Sequence, residues 1–164
     1  MCAFLENGEK MKKGELVLFG LIVLLDQLTK SWIESAFELY ESLEIIPHFF
    51  SLTYARNTGA AWSILEGQMG FFIVLTAVVL IGLVWIMKKT PKESTWTRIA
   101  FTLIMAGAVG NFIDRIMFSY VRDFLDFLIF GYDFPIFNVA DISLCIGVGL
   151  LALMTILDKE ESVL

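Results

Sequence analysis

The sequence predicts an α+β membrane protein: an all-α four-helix bundle in the membrane with a small extracytoplasmic β platform. The first observation is composition, since hydrophobic residues make up 57% of the 164 residues and charged residues 18%. Soluble domains contain about 45–50% apolar residues, even with glycine counted. The second is a set of four long apolar stretches. The third is an alternating segment between the first two stretches. We treat residues 1–164 as one integral membrane domain.

The predicted transmembrane helices cover residues 16–33, 69–87, 97–115 and 136–157. The second is the clearest, because its 19 residues contain no charge and about 20 are needed to cross the hydrocarbon layer. Each of the other three has polar residues towards one end. Lys12 and Lys13 precede the first helix as in a signal peptide, but no small-residue cleavage site follows. We therefore expect this helix to be retained.

The connection between the first two helices predicts the β platform. Apolar and polar residues alternate over Phe50–Tyr54, which indicates short strands, and Asn57–Gly59 is typical of a turn. A short helical stretch, Ala60–Trp62, follows the turn. We expect these elements to lie at the membrane interface.

Lysine and arginine are distributed unequally between the two sides of the bundle. Eight lie before the first helix, between the second and third helices, or after the fourth. The connections 34–68 and 114–135 hold only Arg56, Arg115 and Arg122. The positive-inside rule therefore predicts that both termini are cytoplasmic and that these connections lie outside. The polar ends of the helices would then meet near the outer membrane face.

Composition also excludes several classes of function. The net charge of −6 provides no basic surface for nucleic acid. His48 is the single histidine, and Cys2 and Cys145 show no metal-ligand spacing. We expect a local structural role for His48. The sequence therefore argues against histidine-dependent nucleophiles and predicts no metal site and no other cofactor.

Charged residues at membrane depth need partners or a function, because each costs about 2.5–3.5 kcal/mol at a helix centre on insertion scales. Asp26 and Lys30 are spaced i,i+4 in the order that favours an ion pair, and such pairs also orient functional sites. Asn111, Asp114 and Arg115 share one face of the third helix. Arg115 either offers its donors to a peptide carbonyl or carboxylate or extends to the interface. Small residues that favour close helix packing precede them: Ala106, Gly107 and Gly110.

Further acids lie towards the predicted outer face. Asn138 and Asp141 match an N-cap with an acid at N3, and an acid at a helix N-terminus tends to stay ionised. Asp123 lies in an aromatic stretch with Asp126 three residues later. For either acid alone, an exposed loop carboxylate is the simpler interpretation. Two carboxyls within hydrogen-bond reach share a proton, however, and can activate water as aspartic peptidases do.

Five sequence blocks carry a resemblance to a known family: Asp26-Gln27-x-x-Lys30, Asn57-Thr58-Gly59-Ala60-Ala61-Trp62, Gly107-Ala108-x-Gly110-Asn111-x-x-Asp114-Arg115, Val121-Arg122-Asp123-Phe124 and Phe137-Asn138-x-Ala140-Asp141. In this order they resemble the lipoprotein signal peptidase, or signal peptidase II, family over nearly the whole chain. The resemblance implies a bacterial membrane aspartic peptidase that removes signal peptides from diacylglyceryl-modified prolipoproteins. Cleavage would occur on the N-terminal side of the lipidated cysteine. The resemblance also implies inhibition by globomycin-type cyclic peptides, and we expect a monomer in the cytoplasmic membrane.

The same resemblance implies roles for individual residues. Asp123 and Asp141 match the catalytic pair, and we favour Asp141 as the ionised member. The supporting residues of the site are Asn57, Asn111, Asp114, Arg115, Asn138, Asp26, Lys30 and Gly107. The family's cradle and lid fall in residues 38–66, with Trp62 on the lid. Arg122 departs from the apolar residue that many members have, and it would favour the ionised form of Asp123 only if it points into the site.

Two other classes of protein remain open at this stage. A small transporter or proton-coupled channel also carries buried acids on several helices, but it would distribute them across the bilayer depth. A helical scaffold subunit would use its polar faces only to bind partners. Of the three, only a peptidase would convert a lipidated prolipoprotein into a shortened, still lipidated product.

Overall fold

The computed structural model describes residues 10–59 and 67–161, so the predicted lid helix and Trp62 lie outside the described residues. The described part contains four α-helices and one small antiparallel sheet. In chain order the elements are α1 (Lys13–Ala36), β1 (Ser42–Ile46), β2 (Phe50–Asn57), α2 (Met69–Lys89), α3 (Thr95–Phe118), β3 (Val121–Ile129), β4 (Tyr132–Asp133) and α4 (Val139–Glu161). The predicted fold class, four apolar helices with a small sheet, is confirmed.

All four helices are long and apolar enough to cross a membrane. Helix α3 is central, because it packs against the other three. In its most apolar stretch 61% of residues are buried, against 17%, 6% and 17% for α1, α2 and α4. The large apolar side chains on the outward faces of the other helices are exposed, as expected for helices whose solvent is lipid.

The sheet has the strand order β1-β2-β3-β4, with antiparallel neighbours. Strand β2 includes the alternating segment Phe50–Tyr54 that predicted it, and β1 precedes it within the same connection. Strand β3 was not predicted from the sequence; it pairs along β2 with a register shift between Leu52 and Ala55. Helix α4 begins later than the predicted residue 136, because Phe137 forms a β-bridge with Leu125 instead of a helical turn.

Apolar contacts anchor the sheet on the bundle. Ile33 near the end of α1, Tyr54 of β2 and Phe124 of β3 form one buried cluster. A second cluster lies between the helices and is centred on Met87, Phe101 and Met105. The first cluster matters for the site, because it holds the start of β3 against α1.

Candidate active site

Asp123 lies in the buried first half of β3 and is 3% exposed. Its two carboxyl oxygens accept hydrogen bonds from two amide side chains. Asn138 Nδ2 donates to Oδ1 at 2.6 Å, and Asn57 Nδ2 donates to Oδ2 at 3.1 Å. Asn57 ends strand β2, so the β2–β3 pairing brings these two residues together.

Asp141 lies in the first turn of α4, where a capping box holds it. The backbone N–H of Asn138 donates to Asp141 Oδ2 at 3.1 Å, and the backbone N–H of Asp141 donates to Asn138 Oδ1 at 3.1 Å. Asn111 Nδ2 of α3 donates to Asp141 Oδ1 at 2.7 Å. Asp141 therefore has one carboxyl oxygen bound to α3 and the other bound to the cap of its own helix.

Asn138 connects the two acids directly. Its side-chain amide donates to Asp123 while its backbone N–H donates to Asp141. Asn138 is fully buried; its contact with Asp123 is buried, whereas its contact with Asp141 is only partly buried. Asp126, three residues beyond Asp123, accepts instead from Thr53 Oγ1 at 2.6 Å. The fold thus brings together Asp123 and Asp141 and gives Asp126 a different partner.

Burial is the main reason that the pKa of the Asp123 carboxyl is raised. Desolvation, followed by the negative charge of Asp141, raises the pKa of the Asp123 carboxyl from 3.8 to about 7. The hydrogen bonds from Asn138 and Asn57 act in the opposite direction. A carboxyl with this pKa can hold a proton near neutral pH, as a general acid must.

Behind the two acids, α1 and α3 form a buried ionic cluster. Lys30 Nζ lies 2.9 Å from Asp26 Oδ2, 3.5 Å from Asp114 Oδ2 and 2.8 Å from Asn111 Oδ1. Lys30, Asp26 and Asp114 are all fully buried. Asp26 also accepts from the backbone N–H of Ala140 at 2.9 Å. The i,i+4 ion pair is thus present, and it connects α1 to the start of α4.

Arg122 takes neither of the two directions considered from the sequence. It is 3% exposed, and its guanidinium contacts Asp114 of α3 and the α1 residues Gln27 and Glu34. It therefore points neither into the site beside Asp123 nor towards lipid headgroups. The reason is that the acids that neutralise Arg122 lie on α1 and α3.

Arg115 is half-buried at the end of α3, with its guanidinium carbon 5.3 Å from the centre of the Phe72 ring. Within the described residues, its buried Nε has no hydrogen-bond partner. The charges of Asp141 and Asp123 act on this guanidinium. Arg115 is thus a cation near both acids, with one buried donor that is unpaired among the described residues.

Two glycines of α3 allow the close approach of the elements that carry the site. A Cβ on Gly107 would clash with the backbone oxygen of Ala140 and lie 2.8 Å from Leu144 Cγ. A Cβ on Gly110 would lie 2.6 Å from Asp26 Oδ2. The small-residue patch therefore serves packing, as the sequence predicted, and that packing places the first turn of α4.

Two polar residues of α1 take part in this network without having been predicted to do so from the sequence. Gln27 Nε2 donates to Asp114 Oδ1 at 3.2 Å, and its Oε1 accepts from Arg122 at 3.1 Å. Glu34 accepts from Arg122 at 3.0 Å and from the hydroxyl of Tyr54 at 3.0 Å. Glu34 follows Lys30 by one helical turn. This spacing was the available sign in the sequence that the polar face of α1 continues beyond Lys30.

Comparison with known proteins extends over almost the whole chain. The family described as Signal peptidase (SPase) II matches residues 18–157. Proteins named lipoprotein signal peptidase from Staphylococcus aureus strains JH9 and Newman are 48% identical over 149 residues, which cover 90% of this chain and 91% of theirs.

Two solved structures are also similar in fold. One, described as a bacterial membrane enzyme at 2.3 Å resolution, gives a TM-score of 0.88 at 42% identity, with 95% of each chain covered. A second, described in the same way at 1.9 Å resolution, gives a TM-score of 0.82 at 43% identity and covers 92% of this chain and 97% of the other.

Proposed function

Because this chain belongs to the signal peptidase II family of bacterial membrane proteases, we propose that Asp123 and Asp141 are the catalytic pair with which it cleaves prolipoprotein signal peptides. The observation that carries this proposal is the double contact of Asn138, which donates to both carboxyls. Cleavage would occur on the N-terminal side of a diacylglyceryl-modified cysteine.

The charges around the pair support one shared proton. Among the described residues, the pair and the buried ionic groups behind it together comprise three cations and four acids: Lys30, Arg115, Arg122, Asp26, Asp114, Asp123 and Asp141. Glu34 and Arg56, which are further out and partly exposed, form an additional pair of opposite charges. Burying net charge is costly, and one proton shared between Asp123 and Asp141 makes the group of seven neutral.

The roles of the two acids follow from their surroundings. Asp123 holds the proton, since burial and the charge of Asp141 raise its pKa to about 7. Asp141 is the ionised member, held at the N-terminus of α4 by the Asn138 backbone N–H and the Asn111 amide. Asp141 takes a proton from water as the water attacks the scissile carbonyl. Asp123 donates first to the carbonyl oxygen and, after the proton is redistributed within the pair, to the leaving nitrogen.

Arg115 is the residue that we assign to the substrate peptide. Its half-buried guanidinium has the planar set of donors that suits a carbonyl oxygen, and the developing negative charge on that oxygen would strengthen the contact in the transition state. The diacylglyceryl chains would lie between helices at the outer leaflet. Globomycin-type peptides would compete for the same position.

The test is cleavage of a purified diacylglyceryl prolipoprotein, followed by mass spectrometry of the product. Asp123→Asn and Asp141→Asn should each reduce kcat by roughly 10²–10⁴-fold, as loss of a general acid or base does. Asp126→Asn is the matched control on the same strand and should change kcat by less than about threefold. Asp126 binds Thr53 instead of the pair, and substitutions away from a functional site have small effects. Thermal unfolding in detergent confirms that each variant is folded.

A non-lipidated prolipoprotein tests the role of the lipid and should be cleaved poorly. Full activity of the Asp123→Asn variant would refute the catalytic pair. A parent protein that leaves the lipidated substrate intact would refute the proposed cleavage itself.

A further inference from the structure

Arg122 joins three elements behind the proposed catalytic pair. It lies on β3, immediately before Asp123, and contacts both carboxyl oxygens of Asp114 on α3 and the side chain of Glu34 on α1. We propose that Arg122 is a positioning residue for the reaction: by neutralising Asp114 it leaves Lys30 bound to Asn111, which in turn holds Asp141. The proposal rests on the proposed function.

The first step is the ion pair between Arg122 and Asp114. The backbone N–H and Nε of Arg122 donate to Asp114 Oδ2 at 3.0 and 3.2 Å, and a terminal guanidinium nitrogen lies 2.8 Å from Oδ1. Asp114 is fully buried and Arg122 is 3% exposed. A charge-assisted, two-oxygen contact of this kind is strong, so Arg122 supplies most of the neutralisation that Asp114 needs.

The second step concerns Lys30, which has three oxygen neighbours at different distances. It is 2.8 Å from Asn111 Oδ1 and 2.9 Å from Asp26 Oδ2, but 3.5 Å from Asp114 Oδ2. Without Arg122, Asp114 would be a buried carboxylate short of neutralisation, and such a group attracts the nearest cation. Lys30 is that cation, and movement towards Asp114 takes it away from Asn111.

The third step is the orientation of the Asn111 amide. Its oxygen accepts from Lys30 at 2.8 Å and from Asn138 Nδ2 at 3.1 Å, so its nitrogen faces Asp141 Oδ1 at 2.7 Å. If Lys30 no longer holds the oxygen, only the longer contact from Asn138 Nδ2 keeps the amide in this orientation, and rotation becomes easier. Rotation would place an oxygen against the Asp141 carboxylate and remove a donor from the proposed base.

The experiment measures kcat and KM on the lipidated prolipoprotein for neutral variants of Arg122. Arg122→Gln and Arg122→Met should both lower kcat by roughly 10- to 100-fold, the range typical of misplaced catalytic groups, and leave KM within about twofold. Arg122→Lys keeps the charge and should retain most of the activity. The matched control is Arg56→Gln, because Arg56 is the register partner of Arg122 on β2 but is 41% exposed; its kcat should equal that of the parent.

A second substitution, at Asp114, distinguishes the proposed effect of Arg122 through Lys30 and Asn111 from a simple loss of stability. If Asp114 is made neutral together with Arg122, nothing draws Lys30 away from Asn111. The double variant Arg122→Gln with Asp114→Asn should therefore recover about tenfold in kcat over Arg122→Gln alone, a coupling typical of contacting residues. A purely structural role for Arg122 predicts the opposite, because the double variant would lose a further contact between β3 and α3.

Several results would overturn the proposal. One is a kcat for both neutral variants equal to that of the parent, even if their thermal stability falls. Another is a lowered kcat that the Asp114→Asn change fails to restore. Failure of the proposed function would give a different result. The parent protein would leave the lipidated prolipoprotein intact, or the Asp123→Asn variant would cleave it.

Discussion

The buried Asp123 carboxyl gives the protein a predictable dependence on pH. Its pKa is raised from 3.8 to about 7 by burial and by the charge of Asp141. The folded protein therefore binds the Asp123 proton more tightly than the unfolded chain does. The contribution of Asp123 to the free energy of unfolding should fall as the pH rises from about 4 to about 7 and level off above that value, with a total change of about 4 kcal/mol at 1.36 kcal/mol per pKa unit.

Activity should follow the same group. In the proposed mechanism the pair carries, below pH 7, the proton that the leaving nitrogen needs, whereas above pH 7 the pair is doubly ionised. We expect kcat/KM for the lipidated prolipoprotein to fall about tenfold per pH unit above pH 7, because kcat/KM reports the free enzyme's ionisations. The measurement is initial cleavage rates between pH 5 and 9 in constant ionic strength.

The Asp123→Asn variant isolates the effect on stability, since asparagine has no titrating proton. Thermal unfolding in detergent should show similar midpoints for the parent and this variant at pH 4, and a more stable variant at pH 8. A difference between the two proteins that does not change with pH would refute the assignment of the raised pKa to Asp123. A value of kcat/KM that is constant up to pH 9 would refute the role of its proton in catalysis.

Two further predictions concern packing and the opposite end of the bundle. Gly107→Ala should destabilise the protein by about 1–3 kcal/mol, the range for overpacking, and lower kcat, because the new Cβ meets the backbone of Ala140 one residue before Asp141. Gly149→Ala is the control and should change neither, because a Cβ there would meet no atom from outside its own stretch of helix among the described residues. Glu15→Gln should lower the free energy of unfolding by about 2–3 kcal/mol, as loss of a charged hydrogen bond does, because both its oxygens lie 2.8 Å from Arg98 nitrogens. The kcat and KM of the Glu15→Gln variant should match those of the parent, since this ion pair joins the start of α1 to the start of α3, away from the proposed catalytic pair. A lowered kcat would show that the two ends of the bundle are not independent.

Local features of the site were readable from the sequence. The Asp26–Lys30 pair and the Asn138–Asp141 capping box depend on spacings of three or four residues along one helix, and the helix itself places such residues together. The four apolar stretches were equally clear, because crossing a membrane imposes a length on each helix. The family resemblance named Asp123, but no local pattern distinguished it from Asp126.

Contacts between distant segments were decided only by the tertiary structure. Strand β3 was missed because its register is set by pairing with β2, some 70 residues earlier in the chain. The direction of Arg122 was equally hidden, because the acids that neutralise it, Asp114 and Glu34, lie on two different helices. The sequence by itself thus determined the helices, their polar ends and the short-range ion pair and helix cap. The meeting of Asp123 with Asp141 through Asn138 required the packing of β3 and α4 on α3, since only three-dimensional proximity gives two carboxyls a shared environment.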